Sequence, residues 1–406
     1  MNLLARFLKL MRNIIIPILI KIRNNKFKFI LFFIFLYSFI KYVSNKEEID
    51  QYLDIKFADP AYISTEEKFL VYRCDAYYDK NRNCGGLGDR IKGIVSGYVW
   101  ALITNRTFLI DMNRPCDFTN LYLLNKYNWN KYDNNIDKLF QSENIGYFDK
   151  AVLNGDDFFK ERFSYINFTL LKQTKKVIIF LSNRNLLETI SKNKHPHIQN
   201  RIKELGFDPK KFDMPYTFRY IYNLLFKLNP NLQEKYGRFL LKAKPNKDTQ
   251  LICAQIRIGG HKHFYYREYY DYRPQFLNDT SNYWKHIREH FISKTKDNNY
   301  RIYISTDNEI ARKEAIKEFG REFIVYNEGP LNHVDFVQNK NNDCSHIENT
   351  ILDFHSFQLC DMAAISPSQF GMIGVWNRED SAKDVFMYNK DIQKFQNDSL
   401  KIFHAE

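Results

Sequence analysis

With 406 residues, 44% of them hydrophobic, the chain can bury a large core and has room for two domains of ordinary size. Its formal charge of +13 invites a nucleic-acid reading, but nine Lys or Arg and no acid lie in residues 1–46, which leaves +4 for the other 360. The body is close to balance, which argues against a nucleic-acid groove.

Within the basic end, Phe29–Ile40 is an uncharged apolar run, and it extends to Phe27–Val43, seventeen residues, if Lys28 and Lys41 snorkel to the interfaces. Basic residues precede the run and Glu47, Glu48 and Asp50 follow it, so the positive-inside rule puts the N-terminus in the cytosol and the body in the lumen. The residues after the run, Lys41-Tyr-Val-Ser-Asn-Lys46, lack a small-x-small cleavage site. The expectation is therefore a basic cytosolic tail over 1–26, an uncleaved signal-anchor transmembrane helix over 27–43 and a stem over 44–66. A span this short suits the Golgi membrane better than the plasma membrane. The six cysteines (74, 84, 116, 253, 344 and 360) all lie beyond the anchor, on the oxidising side, with no metal-ligand spacing. Cys74 and Cys84 flank the first loop of the body and are placed to bridge it. Glycosylation sequons begin at Asn105, Asn167, Asn278 and Asn397, of which Asn105, between a buried helix and a buried strand, is expected to be unused.

The body opens with the β-forming run Phe69–Cys74, a polar loop and the sequence Cys84-Gly-Gly-Leu-Gly-Asp-Arg90. Ile91, Ile94, Val95, Tyr98, Val99, Leu102 and Ile103 then recur at helical spacing and predict a helix from Asp89 to Thr104 with one apolar face; Arg106–Asp111 returns as a buried strand. Gly85, Gly86 and Gly88 let the backbone approach a ligand, and the N–H groups of the new helix favour negative charge there. An ordinary strand-to-helix turn explains the glycines equally well. No Gly-Lys-Ser/Thr follows, so this is not a Walker loop. From Asp111 to Leu241 the sequence is least informative, with a strand at Lys176–Leu181, an amphipathic helix at Phe218–Lys227 and many aromatic residues that read as core. Lys242–Thr249 has the composition of a linker.

Beyond it strands and helices alternate. Strands are predicted at Gln250–Ile258, Tyr300–Ser305, Glu322–Tyr326 and Met362–Ser366, with helices at Tyr283–Ser293, Glu309–Phe319, Thr350–Asp361 and from Ser368 onward. Such alternation means a parallel, doubly wound sheet, whose ligand lies at the carboxyl ends of the strands. Three strand ends carry polar residues. In Gln255-Ile-Arg257-Ile-Gly-Gly260, a buried arginine needs an anion, either a phosphate or an acid on a neighbouring strand. His261 and His263, which follow, read as loop residues. At Ser305-Thr306-Asp307, Thr306 with Glu309 fits a capping box, and Asp307 is an acceptor for a base or ribose. At Ile365-Ser-Pro-Ser-Gln-Phe-Gly371, Ser366 or Ser368 caps a helix or places donors on an anion.

Taken together, the glycine loop and the three strand ends resemble the GDP-fucose-dependent fucosyltransferases, the superfamily that joins α1,2- and α1,6-fucosyltransferases with protein O-fucosyltransferases. Cys84–Arg90 with its helix is similar to the plant xyloglucan and animal α1,2 branches. Gln255-Ile-Arg257 resembles the motif whose arginine binds the β-phosphate, Tyr303–Asp307 the second motif, and Ser366–Phe370 the third. The chain departs from the pattern after Arg257, where Ile258-Gly-Gly replaces a second basic residue and an acid.

The resemblance implies an α/β fold of two Rossmann-like domains facing across a cleft (GT-B type), 67–245 and 246–406, with the donor on the second. It implies donor contacts from Gly86, Gly88, Arg90, Gln255, Arg257, Asp307, Ser366, Ser368, Gln369 and Phe370. Arg257 and Asp89 are the candidate catalytic residues, and Asp75, His261 and Glu268 are further candidates for a general base. Fucose would move with inversion from GDP-fucose to a hydroxyl of a glycan or glycoprotein, without metal or other cofactor. The protein would be a type II Golgi membrane protein held in the bilayer by its anchor. Protein O-fucosylation, another nucleotide sugar, or a non-catalytic binder of sugar nucleotides or glycans are the alternatives.

Overall fold

The computed structural model describes residues 67–74, 85–130, 136–141, 145–148, 165, 167, 169, 175–181, 185–210, 212, 214–258, 280–295, 299–331, 334, 343–380, 383–389 and 394–396. They belong to one compact unit, Thr65–Thr169 with Lys175–Glu406. The expected tail, transmembrane helix and stem lie outside the described residues. Among the described residues no helix is long and apolar enough to cross a membrane.

The first half of the unit runs β1 (Phe69–Cys74), α1 (Leu87–Ile103), β2 (Thr107–Met112), β3 (Tyr122–Leu124), α2 (Ile136–Phe140), β4 (Ile145–Phe148), β5 (Val177–Phe180), α3 (Leu186–Ser191), α4 (Pro196–Glu204), α5 (Met214–Leu225), β6 (Phe226–Leu228) and α6 (Pro230–Ala243). Strands β2-β1-β5-β4 form a sheet in which every pair is parallel. Val71, Leu109, Val177 and Ile179 are fully buried between its faces and the covering helices, which is why these strands read as continuous apolar runs.

The expectation of one apolar face on α1 needs correcting, because the helix is buried nearly all round, including Arg90 and Lys92. It lies against the first sheet on one side and against a helix of the second half on the other. A Cβ at Gly97 would stand 3.1 Å from the Phe108 ring and 3.3 Å from Phe180, so the glycine sets the helix close on the sheet. Thr104 Oγ1 donates to the Trp100 carbonyl at 2.7 Å, and Asn105, at φ 53°, turns the chain back into β2. Asn105 is exposed in this turn rather than enclosed.

The second half runs β7 (Gln250–Ile256), α7 (Ser281–His286, continuing as a π turn to Phe291), β8 (Tyr300–Thr306), α8 (Glu309–Phe319), β9 (Ile324–Val325), α9 (Ser345–Ser356), β10 (Met362–Ile365), α10 (Gln369–Trp376), β11 (Val385–Asn389) and β12 (Lys394–Gln396). The sheet order is β12-β11-β10-β7-β8-β9, parallel except for the antiparallel edge strand β12. From β7 the chain winds outward to β8 and β9, then crosses back to β10 and β11. The order therefore reverses between β7 and β10, and a ligand crevice belongs at the carboxyl ends of these strands.

Helix α6 lies in the least informative stretch of the sequence, although Leu232, Tyr236, Phe239 and Ala243 recur at helical spacing and form its buried face. Asn229 caps it, accepting from Leu232 N at 2.8 Å, and Pro230 sits at its first position. The linker composition begins only as this helix ends at Ala243. Helix α9 starts at Ser345, five residues before the predicted start. Cys344 at its head is bonded to Cys116, and Cys253 of β7 to Cys360. Cys74 is disulfide-bonded, while Cys84, its expected partner, lies outside the described residues.

The aromatic residues of the middle segment are core. Strands β3 and β6 form a two-stranded antiparallel sheet, around which Phe118, Tyr122, Trp129, Tyr222 and Phe226 meet edge to face. Tyr122 and Tyr222 share a hydroxyl hydrogen bond of 2.9 Å, and Tyr222 reaches His355 Nδ1 at 3.4 Å.

Burial pushes the His355 imidazole down to about 4, so the fold holds it neutral. Because the folded-state value is depressed, its contribution to stability is complete above the unfolded value near 6.5 and is lost as pH falls towards 4, for a total of ~3 kcal/mol. Denaturant midpoints at pH 7, 5 and 4 should show the wild type converging on His355→Gln as the pH drops; a gap that does not change with pH would contradict this.

Candidate functional site

Strand β7 is buried without a break from Leu251 to Ile256, and Arg257 follows at the end of the strand. The Arg257 backbone N–H donates to Ser366 Oγ at 2.8 Å, which binds the end of β7 to the end of β10. Its guanidinium Nη1 lies 3.0 Å from Asp307 Oδ2 at the end of β8. The other carboxylate oxygen of Asp307 accepts from Ile258 N at 2.8 Å. The neighbouring-strand acid that a buried arginine calls for is thus present. Asp307, expected as an acceptor for a base or ribose, holds Arg257 and the turn after β7.

Two further expectations change in the structure. Helix α8 is capped by Asn308, whose side chain accepts from Ile310 N at 2.9 Å, and not by the Thr306–Glu309 box. Thr306 Oγ1 accepts from Asn308 N at 3.1 Å instead. Ser366, expected among the ligand contacts, is fully buried and faces inward. Its hydroxyl shares a 2.8 Å hydrogen bond with Tyr283 OH and lies 3.2 Å from the Gln255 carbonyl. Burial raises the Tyr283 phenol well above its ordinary range, which keeps it protonated.

Ser368 is the N-cap residue of α10 and makes no side-chain bond to its own helix. Gly86 occupies the same position on α1, where no side chain exists to cap. The two helix starts meet. A Cβ at Gly88 would lie 2.9 Å from both the Gln369 carbonyl oxygen and Phe370 Cα, so only glycine lets these backbones approach so closely. Arg90, expected among the ligand contacts, is 1% exposed and points behind the loop, where Nε donates to the Gly85 carbonyl at 2.8 Å and Nη1 to that of Arg114. It braces the glycine loop, which passes through φ 79° at Gly85.

These elements enclose a cavity of about 350 Å³. Gly86, Gly88 and Asp89 line it at the start of α1, Gln255 and Arg257 at and just past the end of β7, Asp307 just past β8, and Ser368, Gln369 and Phe370 at the start of α10. The glycine loop and all three strand ends singled out in the sequence therefore reach one space. Arg90 and Ser366 are not part of its lining. Asp75, His261, His263 and Glu268 lie outside the described residues. Among the described residues, no group of three or more His, Cys, Asp or Glu side chains is arranged to hold a metal ion.

No family model matches the chain, and no curated protein matches it. Solved structures do. A mutant of Arabidopsis thaliana FUT1 in complex with GDP is similar over 87% of this chain and 81% of its own, at 14% identity and a TM-score of 0.49. NodZ α-1,6-fucosyltransferase co-crystallized with GDP is similar over 80% of this chain and 96% of its own, at 11% identity and a TM-score of 0.46. Fucosyltransferase NodZ from Bradyrhizobium matches with the same coverage, 11% identity and a TM-score of 0.44.

Helix α9 contributes a wall to the cavity that sequence reasoning missed. Asn349, Thr350 and Asp353 line it. Asp353 is buried, accepts from Ser305 Oγ at 3.0 Å and from Asn327 Nδ2 at 2.9 Å, and is shifted upward by desolvation. The signal was an acid inside the apolar run Ile351-Leu-Asp-Phe354. Asn349 is 4% exposed, and its Oδ1 has no hydrogen-bond partner among the described residues; the same holds for Gln255 Oε1. The cavity thus combines a guanidinium and two helix N-termini, which suit a polyanion, with buried acceptors that suit N–H donors.

The close approach at Gly88 is testable against a second helical glycine. Gly88→Ala should destabilise the protein by about 1–3 kcal/mol and weaken binding of inorganic pyrophosphate, since the backbones must separate. Gly237→Ala in α6, where a Cβ meets nothing within 4 Å, should leave both unchanged or raise stability by up to ~1 kcal/mol. Melting curves and calorimetric titration of both variants check this, and equal behaviour would refute it.

Proposed function

We propose that the chain is a GDP-fucose-dependent fucosyltransferase that moves fucose to a hydroxyl of a glycan acceptor, with inversion. The observation that carries this reading is the convergence of Arg257 and the uncapped starts of α1 and α10 on one cavity. Those residues belong to the stretches that resemble the superfamily's motifs. The donor's pyrophosphate would lie in the cavity that both helix starts line. The acceptor wall of α9 suits the N–H groups on the Watson–Crick edge of guanine, for which Asn349 Oδ1 lacks a partner.

The chemistry follows from charge. As the bond between fucose and the β-phosphate breaks, negative charge grows on the phosphate and the sugar becomes oxocarbenium-like. A guanidinium held in place by Asp307, with two helix N-termini, stabilises that charge more in the transition state than in the ground state. Fixed cationic groups of this kind meet the leaving group's demand without a divalent ion. Asp89, at the cavity lip, is the base for the attacking hydroxyl.

The cellular setting belongs to the same proposal. The apolar run 27–43 anchors the chain as a type II membrane protein of the Golgi, with the catalytic body in the lumen. The absence of free cysteines among the described residues supports an oxidising compartment. A second reading, a sugar-nucleotide binder without turnover, is favoured by Ile258-Gly-Gly260, which replaces a second basic residue and an acid after Arg257.

Titration of GDP into the purified chain and its Arg257→Ala variant, followed by assay of GDP release from GDP-fucose with and without chelator, separates the readings. Binding lost with Arg257 and chelator-resistant turnover are expected. Binding without turnover would leave the binder. Absence of binding by the folded wild type would make Arg257 a structural ion-pair residue and overturn both.

A further inference from the structure

We propose that Lys92 is a positioning residue that fixes two groups at the cavity, the Asp89 carboxylate and the Gln369 amide, and keeps them in register across the two halves of the chain. What Asp89 acts upon rests on the fucosyl-transfer reading; the tie itself rests on geometry.

Lys92 lies in the second turn of α1, and its side chain is only 10% exposed. A buried charge there needs an anion beside it. It is neutralised by Asp89, whose Oδ1 lies 3.2 Å from Nζ, and it also donates to Gln369 Oε1 at 3.0 Å. The second bond leaves the first half of the chain altogether and ends on the opening residue of α10.

Each bond orients a cavity group. With Oδ1 held by Lys92, Asp89 Oδ2 has no protein partner among the described residues and is the oxygen left to take a proton. With its carbonyl on Lys92, Gln369 has only its NH2 end left for a ligand. One buried cation therefore makes an acceptor on α1 and a donor on α10. The tight backbone packing at Gly88 brings the two helix starts together, but it cannot set the direction of either side chain. Lys92 supplies that direction.

Lys92→Met keeps the length of the side chain and removes the charge, while Lys92→Arg keeps the charge. For Lys92→Met, kcat for GDP release from GDP-fucose should fall on the order of tenfold or more while the Kd for GDP rises by only a few-fold through Gln369, with most of the loss in kcat recovered in Lys92→Arg. An unchanged kcat, or a Kd that rises as far as kcat/KM falls, would overturn the proposal and make Lys92 a packing or ligand-binding residue.

Melting curves test the tie without turnover. Asp89→Asn should lower the melting temperature by stranding the buried ammonium, and adding Lys92→Met should restore it. Additive effects would sink the tie. A wild type that releases no GDP from GDP-fucose would end the fucosyl-transfer reading alone, and the melting cycle would still decide whether Lys92 holds Asp89.

Discussion

The site depends on a contact between two backbones. At Gly88 the first turn of α1 rests on the Gln369 and Phe370 backbone at a distance that no Cβ allows. That contact makes one cavity from a glycine loop on the first half and strand ends on the second. It also explains why α1, which begins beside β1 like any helix of such a fold, is buried on nearly every side. A helix that faced solvent would carry a polar stripe, whereas α1 is enclosed by its own sheet and by α10.

Around this contact the charges are arranged in opposed pairs. Arg257 faces Asp307, and Lys92 faces Asp89. The first pair joins the ends of β7 and β8 and the second lies within the opening turns of α1; both cations are mostly buried, where an unpaired charge is costly. The helix starts add positive potential that no capping side chain offsets. The result is a space with two fixed cationic groups, each held by an internal partner. Such an arrangement costs little reorganisation when an anion arrives.

Much of this was legible in the sequence. β7, β8 and β10 showed themselves as apolar runs that end in polar residues, and a doubly wound order brings such ends to one edge. Gly88 stood out as part of a loop, although the sequence could not show which backbone it approaches. What stayed hidden depended on direction rather than identity. Ser366 and Ser368 sit two residues apart, yet one turns into the sheet and the other lines the cavity. Arg90 follows Asp89 directly, and the helix sends them to opposite sides of the loop. The wall from α9 was missed for another reason. The predicted helix began at Thr350, which left out Asn349, and Asp353 passed unremarked within an apolar stretch.

The pairing of Arg257 with Asp307 bears on how the cavity would work as a transferase. The sequence offered two partners for a buried arginine, a phosphate or an acid, as though one excluded the other. In the structure the acid takes Nη1 through Oδ2, while its second oxygen is engaged by Ile258 N. An acid anchored in this way has no freedom to follow the arginine, so the guanidinium is fixed in direction. Asp307 thus acts as the support of the arginine at the end of β7. The same carboxylate lowers the net charge offered to a resting anion, and charge that grows only as a bond breaks gains most from a donor already in position.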